Sequence, residues 1–502
     1  SKYTNDPGFI NSPPQKASDF GLLISSEAID NANNSGAPSV DITGTSRSGT
    51  YDIGAFEYGS VAAGINLFWD VSISAGYQAG NGTWGENDYW TSNGTTLESW
   101  PGAGNSATFA GSDGAWTITI NGTQNVDSMA FLNDGYTING GTSLNFTTKS
   151  GVFVSPNKTA TINTVITGTP GLSKYGTGTL ILGGSNTFTG PVTINAGVIS
   201  INTLNNGGSS SNIGASSSSA SNLVFNGGTL RYTGEMQSCN RLFTLSTNGG
   251  TIDGSGTGAL NFNNSSSMGF SGSGARTLTL TGSATGNTLA MAVGDNGGAT
   301  SITKSGSGSW ILTGDNTASG TVSITDGTLQ IGNGGTSGSI NGPVTNNGTL
   351  IFNRSNSFTF SKVISGTGNL IKTGDGTLSL SGANTYSGST SINYGTLQLN
   401  AANVIPDGAS KGDVLLYGTL DLNSYSETIN GLSGNGVVDN KAAGTPVLTI
   451  GANNANSTFE GSINNNTGAL QLTKTGSGTI ILTGNNTYSG ATTVSAGELR
   501  IN

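Results

Sequence analysis

Four copies of one motif align without a gap along this chain, and they restrict its fold more than any other feature. They begin at Lys174, Lys304, Lys372 and Lys474 and read KYGTGTLILGGSNTFTG, KSGSGSWILTGDNTASG, KTGDGTLSLSGANTYSG and KTGSGTIILTGNNTYSG. Counted from the lysine, glycine recurs at +2, +4, +16 and +23, and Asn-Thr at +12 and +13. The asparagines are Asn186, Asn316, Asn384 and Asn486. Glycine is abundant, 82 of 502 residues, but chance does not put it in the same four columns of every copy.

Apolar residues alternate within each copy. Positions +6 and +8 are Leu180/Leu182, Trp310/Leu312, Leu378/Leu380 and Ile480/Leu482; +25 and +27 are Ile199/Ile201, Leu329/Ile331, Leu397/Leu399 and Leu499/Ile501. Period two means strands with one buried face, and the short runs between Gly, Asn-Gly and Asn-Thr turns suit rungs rather than long hairpins. Degenerate coils such as NGTLIFN (347–353) and GTLDLNSYSETINGL (418–432) fill the intervals. The pattern predicts an all-β solenoid of roughly 20 parallel coils, each burying its apolar face against its neighbours. The glycine columns are expected to hold positive-φ corners, and the +12 asparagines to form a structural ladder of hydrogen bonds from coil to coil.

The motif KxGxGTLxLxGxNTYSGxTxxxxGxLxx resembles the passenger-associated transport repeat, also called the autotransporter-associated β-strand repeat, of bacterial surface proteins. The resemblance implies a right-handed parallel β-helix that is exported. The stretch at 69–111 is similar to the WD...W...PGxxDxATF opening of such passengers, with Asn105 where Asp is usual. EAIDNA (27–32) and DITGTSRSGTYDIGAFEY (41–58) resemble the closing segment of pectate-lyase-like β-helix surface proteins. The expected organisation is a β-helix-closing-like segment at 1–58 that docks between subunits and a linker at 59–68. A Trp-rich opening or cap region follows at 69–116, then a β-solenoid at 117–502 with clear repeats at 172–201, 302–331, 370–399 and 472–501.

Composition removes whole classes of function. Without histidine there is no Ser-His-Asp or Cys-His nucleophile pair and no His-ligated zinc. The one cysteine, Cys239, cannot pair within the chain and reads as a buried thiol. A net charge of -10 with no Lys/Arg cluster argues against nucleic acid, and no apolar run approaches the ~20 residues of a membrane helix. Ser1 opens on a polar stretch, so an export signal is expected to have been removed, leaving an extracellular or cell-surface product.

Candidate chemistry is thin. Five of the six tryptophans lie at 69–116 beside Asp70, Glu86 and Asp88. There Trp69, Trp84, Trp90 and Trp100 read either as a cap over the first coil or as a glycan-stacking platform, and Glu86 and Asp88 as the carboxylates of a rival polysaccharide-active enzyme. Asp41, Arg47, Asp52 and Glu57 read as an ion-paired structural turn. Asp253, Asp295, Asp315 and Asp326 are too scattered for a calcium loop. The Ser-rich run 209–222 reads as a loop bulging from the solenoid. No catalytic residue, cofactor or metal ligand is expected.

Function then turns on the coil ends. Unpaired strand edges invite another chain, and complementary ends on one chain generate filaments. The leading expectation is a non-enzymatic structural protein that polymerises with itself head-to-tail, residues 1–58 covering the C-terminal coils of the next subunit. The alternative is a monomeric autotransporter-type passenger adhesin that binds glycan or matrix.

Overall fold

The computed structural model describes residues 65–74 and 76–502; the closing-like segment 1–58 and the turn built on Asp41, Arg47, Asp52 and Glu57 lie outside them. Over the described residues the strands form a parallel β-solenoid of about 18 turns. Some coils are longer than 20 residues, as where Gly250 pairs with Leu278, so fewer turns fit than the expected count. Strands pair in parallel, except that Asn66–Trp69 meets Trp90–Thr91 antiparallel. A single 3-10 turn, Ala220–Asn222, interrupts the strands among the described residues.

The described residues fall into two compact units. One runs to Ser200 and includes Gly208–Ser216; the other comprises Ile201–Gly207 and Ser217–Asn502. In the first unit Asn66–Trp69, Ser106–Phe109, Thr123–Phe131 and Ser143–Val154 stack in order on one face. Gly82–Trp84, Trp116–Ile120, Tyr136–Asn139, Thr159–Ile162 and Thr179–Leu182 stack on another. The first of these strands begins inside the stretch expected to be a linker, because Leu67 and Trp69 belong to the core.

In the second unit each motif copy supplies parts of two adjacent turns. Positions +6 and +8 pair directly with +25 and +27: Trp310 with Leu329, Leu312 with Ile331, Leu378 with Leu397 and Leu380 with Leu399. All eight side chains are buried, as period two requires. The strand that contains the motif lysine pairs with +18 to +20, so Ile302 lies on Val322 and Lys304 on Ile324. A narrow apolar interior results, with a backbone corner between each pair of faces.

Candidate functional site

At one corner of every motif copy the lysine turns inward. Lys174, Lys304, Lys372 and Lys474 are all buried. Lys304 Nζ donates to the carbonyls of Ser305 (2.8 Å), Gly306 (2.7 Å) and Asp326 (3.1 Å). Lys372 Nζ repeats this with Thr373 (2.9 Å), Gly374 (2.7 Å) and Tyr394 (3.1 Å). Lys474 reaches Thr475, Gly476 and Ala496, and Lys174 reaches Tyr175 and Gly176. At Lys304, Lys372 and Lys474 three ammonium protons thus meet carbonyls of two successive turns, and none of the four lysines forms an ion pair among the described residues.

The glycine columns divide into two kinds. At +2 and +23 the backbone is left-handed, as at Gly374 (φ 76°) and Gly395 (φ 63°). A Cβ on Gly395 would also meet Lys372 Nζ at 2.8 Å, so that glycine makes room for the ammonium. At +4 and +16 φ is not positive, which corrects the expectation of four left-handed corners. Those glycines serve close approach: a Cβ on Gly376 would lie 2.1 Å from the Asn356 carbonyl, and one on Gly388 2.3 Å from that of Gly368.

The +12 asparagines bridge backbone to backbone. Asn384 Oδ1 accepts from Ile364 N (2.8 Å) and its Nδ2 donates to Val404 O (2.8 Å). Asn186 links Ile166 N to Asn212 O, and Asn316 links Val293 N to Ser339 O. Asn486 accepts from Ile463 N and donates to Gly484 O. Each acts as a staple across neighbouring turns; the four asparagines do not touch one another. Past Asn384 the column continues through Glu427, a buried carboxylate that accepts from Val404 N (3.0 Å) and Ile405 N (3.1 Å).

This motif matches a known family, the passenger-associated-transport-repeat, at residues 172–201, 302–331, 370–399 and 472–501. The chain carries passenger-associated transport repeats. A curated relative, the adhesin BmaC autotransporter of Brucella suis biovar 1 (strain 1330), is 46% identical over 175 residues. The match takes in 34% of this chain and 5% of that protein, so the chain spans a small part of its relative's length.

The repeat's lysine gives the fold a pH dependence. Burial pushes Lys174 down to about 7 and Lys304 and Lys372 down to about 8, and lowers Lys474. Between these values and the ordinary ~10.5 the unfolded chain holds protons that the folded chain releases, so stability rises with pH across that window. Burial pushes Glu427 up to about 8, so between its ordinary 4.5 and 8 the folded chain holds the extra proton and stability falls as pH rises. Thermal melts are therefore expected to show a minimum midpoint near pH 7–8 and a higher one at pH 9.5. A midpoint that fell steadily from pH 7 to 9.5 would show that the lysine corners do not titrate early.

The tryptophans are corrected by their burial. Trp69, Trp84 and Trp90 are 0% exposed, so no ring face is left for a sugar and the glycan-platform reading of these three fails. Trp100 is half-buried, its centroid 4.6 Å from that of Trp90 and 5.0 Å from that of Trp84, and its Nε1 donates to Asn125 O. With Phe109 these rings fill the interior of the first turns. Glu86 and Asp88 lie exposed outside that cluster.

The remaining candidates are structural. Asp253 pairs with Arg231, Asp295 accepts from the backbone of Thr300 and Ser319, and Asp315 accepts from Gly338 N. Asp326 accepts from Gly327 N. No three His, Cys, Asp or Glu side chains among the described residues converge on a cation position. Cys239 is buried, and burial pushes its thiol up to about 11. The Ser-rich run is not a bulge throughout: Ser211, Asn212, Ile213 and Gly214 are buried, and Ser211 exchanges backbone hydrogen bonds with Asn186. Among the described residues the surface offers an open groove of about 820 Å³ at the corners carrying Tyr394 and Tyr417.

Proposed function

We propose that this chain is part of the exported passenger of an autotransporter-type surface adhesin, and that it acts by binding rather than catalysis. The observation that carries this is the pairing of four passenger-associated transport repeats with 46% identity to a protein named as an autotransporter adhesin. The geometry is consistent with it. Repeated polar groups, lysines and asparagines alike, are consumed in closing corners, which leaves the flanks of the turns as the surface for a ligand. Extracellular or cell-surface placement follows from the same reading.

The head-to-tail filament has no support in the comparisons, and its docking piece, residues 1–58, lies outside the described residues. It ranks behind the adhesin. A polysaccharide-active enzyme using Glu86 and Asp88 ranks last.

Purified chain coupled to beads tests the reading. The expected result is saturable attachment to animal cells or to immobilised extracellular matrix, competed by soluble chain, with scattering that stays monomeric across the concentration series. Beads that attach to neither surface would overturn the adhesin reading, and concentration-dependent unbranched fibres would restore the filament.

A further inference from the structure

On three successive turns of the second unit the corner glycines lie one over another. Thr419 N donates to Gly395 O (2.9 Å) and Val437 N to Gly418 O (2.9 Å), which fixes Gly395, Gly418 and Gly436 as one column. The residues ahead of these glycines are Tyr394, Tyr417 and Asn435. Tyr394 is 64% exposed and Tyr417 54%.

The corner does not need these rings. Its requirement at this position is a carbonyl, which accepts from the motif lysine at Tyr394 as it does at Asp326 and Ala496. Alanine or aspartate therefore serves the same backbone role. Two large aromatic side chains in solvent on adjacent turns cost hydrophobic exposure and add nothing to closure, and they border the open groove of about 820 Å³. Thr396, Thr419, Asn393 and Asn435 supply hydroxyl and amide groups along its floor and sides.

The surrounding charge narrows the ligand. Along the same column Asp375 lies one turn before Tyr394 and Glu460 two turns after Tyr417, both exposed, and the nearest lysine of the motif, Lys372, is buried beneath the backbone. Carboxylates on both sides of the groove, with no charged side chain in its lining, disfavour sialylated or sulfated chains. Backbone register puts Tyr394 and Tyr417 on adjacent turns, ~4.8 Å apart along the strands, so two exposed rings succeed one another in the direction a pyranose chain would lie along the turns, and each offers a face for sugar C–H groups. We propose that the Tyr394–Tyr417 groove binds an uncharged oligosaccharide, with the two rings as stacking platforms and Asn435, Thr396 and Thr419 as hydrogen-bonding groups. The proposal rests on the adhesin reading and gives it a ligand class.

The test uses the full chain on an array of immobilised oligosaccharides, with neutral galactose-, glucose- and N-acetylglucosamine-based chains in one arm and sialylated and sulfated chains in the other. Titration calorimetry with the best soluble neutral chain follows. Binding confined to the neutral arm is expected, with the Tyr394→Ala/Tyr417→Ala double variant weaker by at least 10-fold and Trp100→Ala unchanged. Both tyrosines are exposed, so the double variant should keep the wild-type melting midpoint; Tyr394→Phe and Tyr417→Phe should retain most binding because the ring remains.

Failure to bind any neutral chain, preference for the anionic arm, or binding unaffected by the double variant would each overturn the groove. The bead assay separates this from the parent reading. Wild-type and double-variant beads that attach equally leave an adhesin with another contact surface. Tyrosine-dependent sugar binding without attachment leaves a lectin-like groove on a chain that is not an adhesin.

Discussion

Replacing Lys372 with alanine is expected to destabilise the chain by about 3–5 kcal/mol, although lysine is among the residues most often found in solvent. Two losses combine. The carbonyls of Thr373, Gly374 and Tyr394 lose their shared donor inside a corner, and each buried polar group left unmade costs about 1–3 kcal/mol. The methylenes of the buried stem also leave, at about 0.8 kcal/mol each. Against these stands the relief of no longer burying a charge, which keeps the total below their sum. Denaturant unfolding measures the effect, and Lys372→Met isolates its polar part because the stem is retained. A Lys372→Met variant as stable as the parent would mean that the ammonium merely fills space. Turns in a solenoid couple mainly to their neighbours, so hydrogen exchange should quicken first at 372–376 and 390–396.

The lysine also shows where sequence reading stops. It heads all four copies, and the strand that contains it carries an apolar residue two positions earlier: Leu172, Ile302, Leu370 and Leu472. Period two therefore puts the lysine on the inner face, a signal that residue type alone hides. The core positions at +6, +8, +25 and +27 were legible because alternation and burial coincide, as at Leu378 over Leu397. At the glycine columns the sequence reveals only that a side chain is excluded. Left-handed backbone at Gly374 and collision with a carbonyl at Gly376 are different causes, and only the folded backbone separates them. Serine richness misled at 209–222, where short polar side chains bond to local backbone and let the segment fold back on Asn186. YGTLQLN (394–400) and YGTLDLN (417–423) align Tyr394 with Tyr417 in the sequence, but alternation alone does not disclose that both rings lie in solvent.

Among the substitutions within the Trp-rich region, Trp90→Ala is expected to be the most damaging, at about 3–5 kcal/mol. Its ring is 0% exposed, 4.8 Å by centroid from Trp84, 5.3 Å from Trp69 and 4.6 Å from Trp100. Removing it opens a cavity whose lining is stiff aromatic and cannot collapse. Trp90→Phe separates packing from polarity. The Nε1 of Trp90 has no acceptor among the described residues, so phenylalanine deletes an unsatisfied donor together with part of the ring. That offset should hold its cost to about 1–2 kcal/mol. Melting curves of the two variants distinguish a packed interior from a sugar platform. A surface ring that served sugar binding would be silent in stability on truncation to alanine, whereas an interior ring must register there first. Equal midpoints for Trp90→Ala and the parent chain would put the tryptophan back on the surface and reopen the glycan reading of this region.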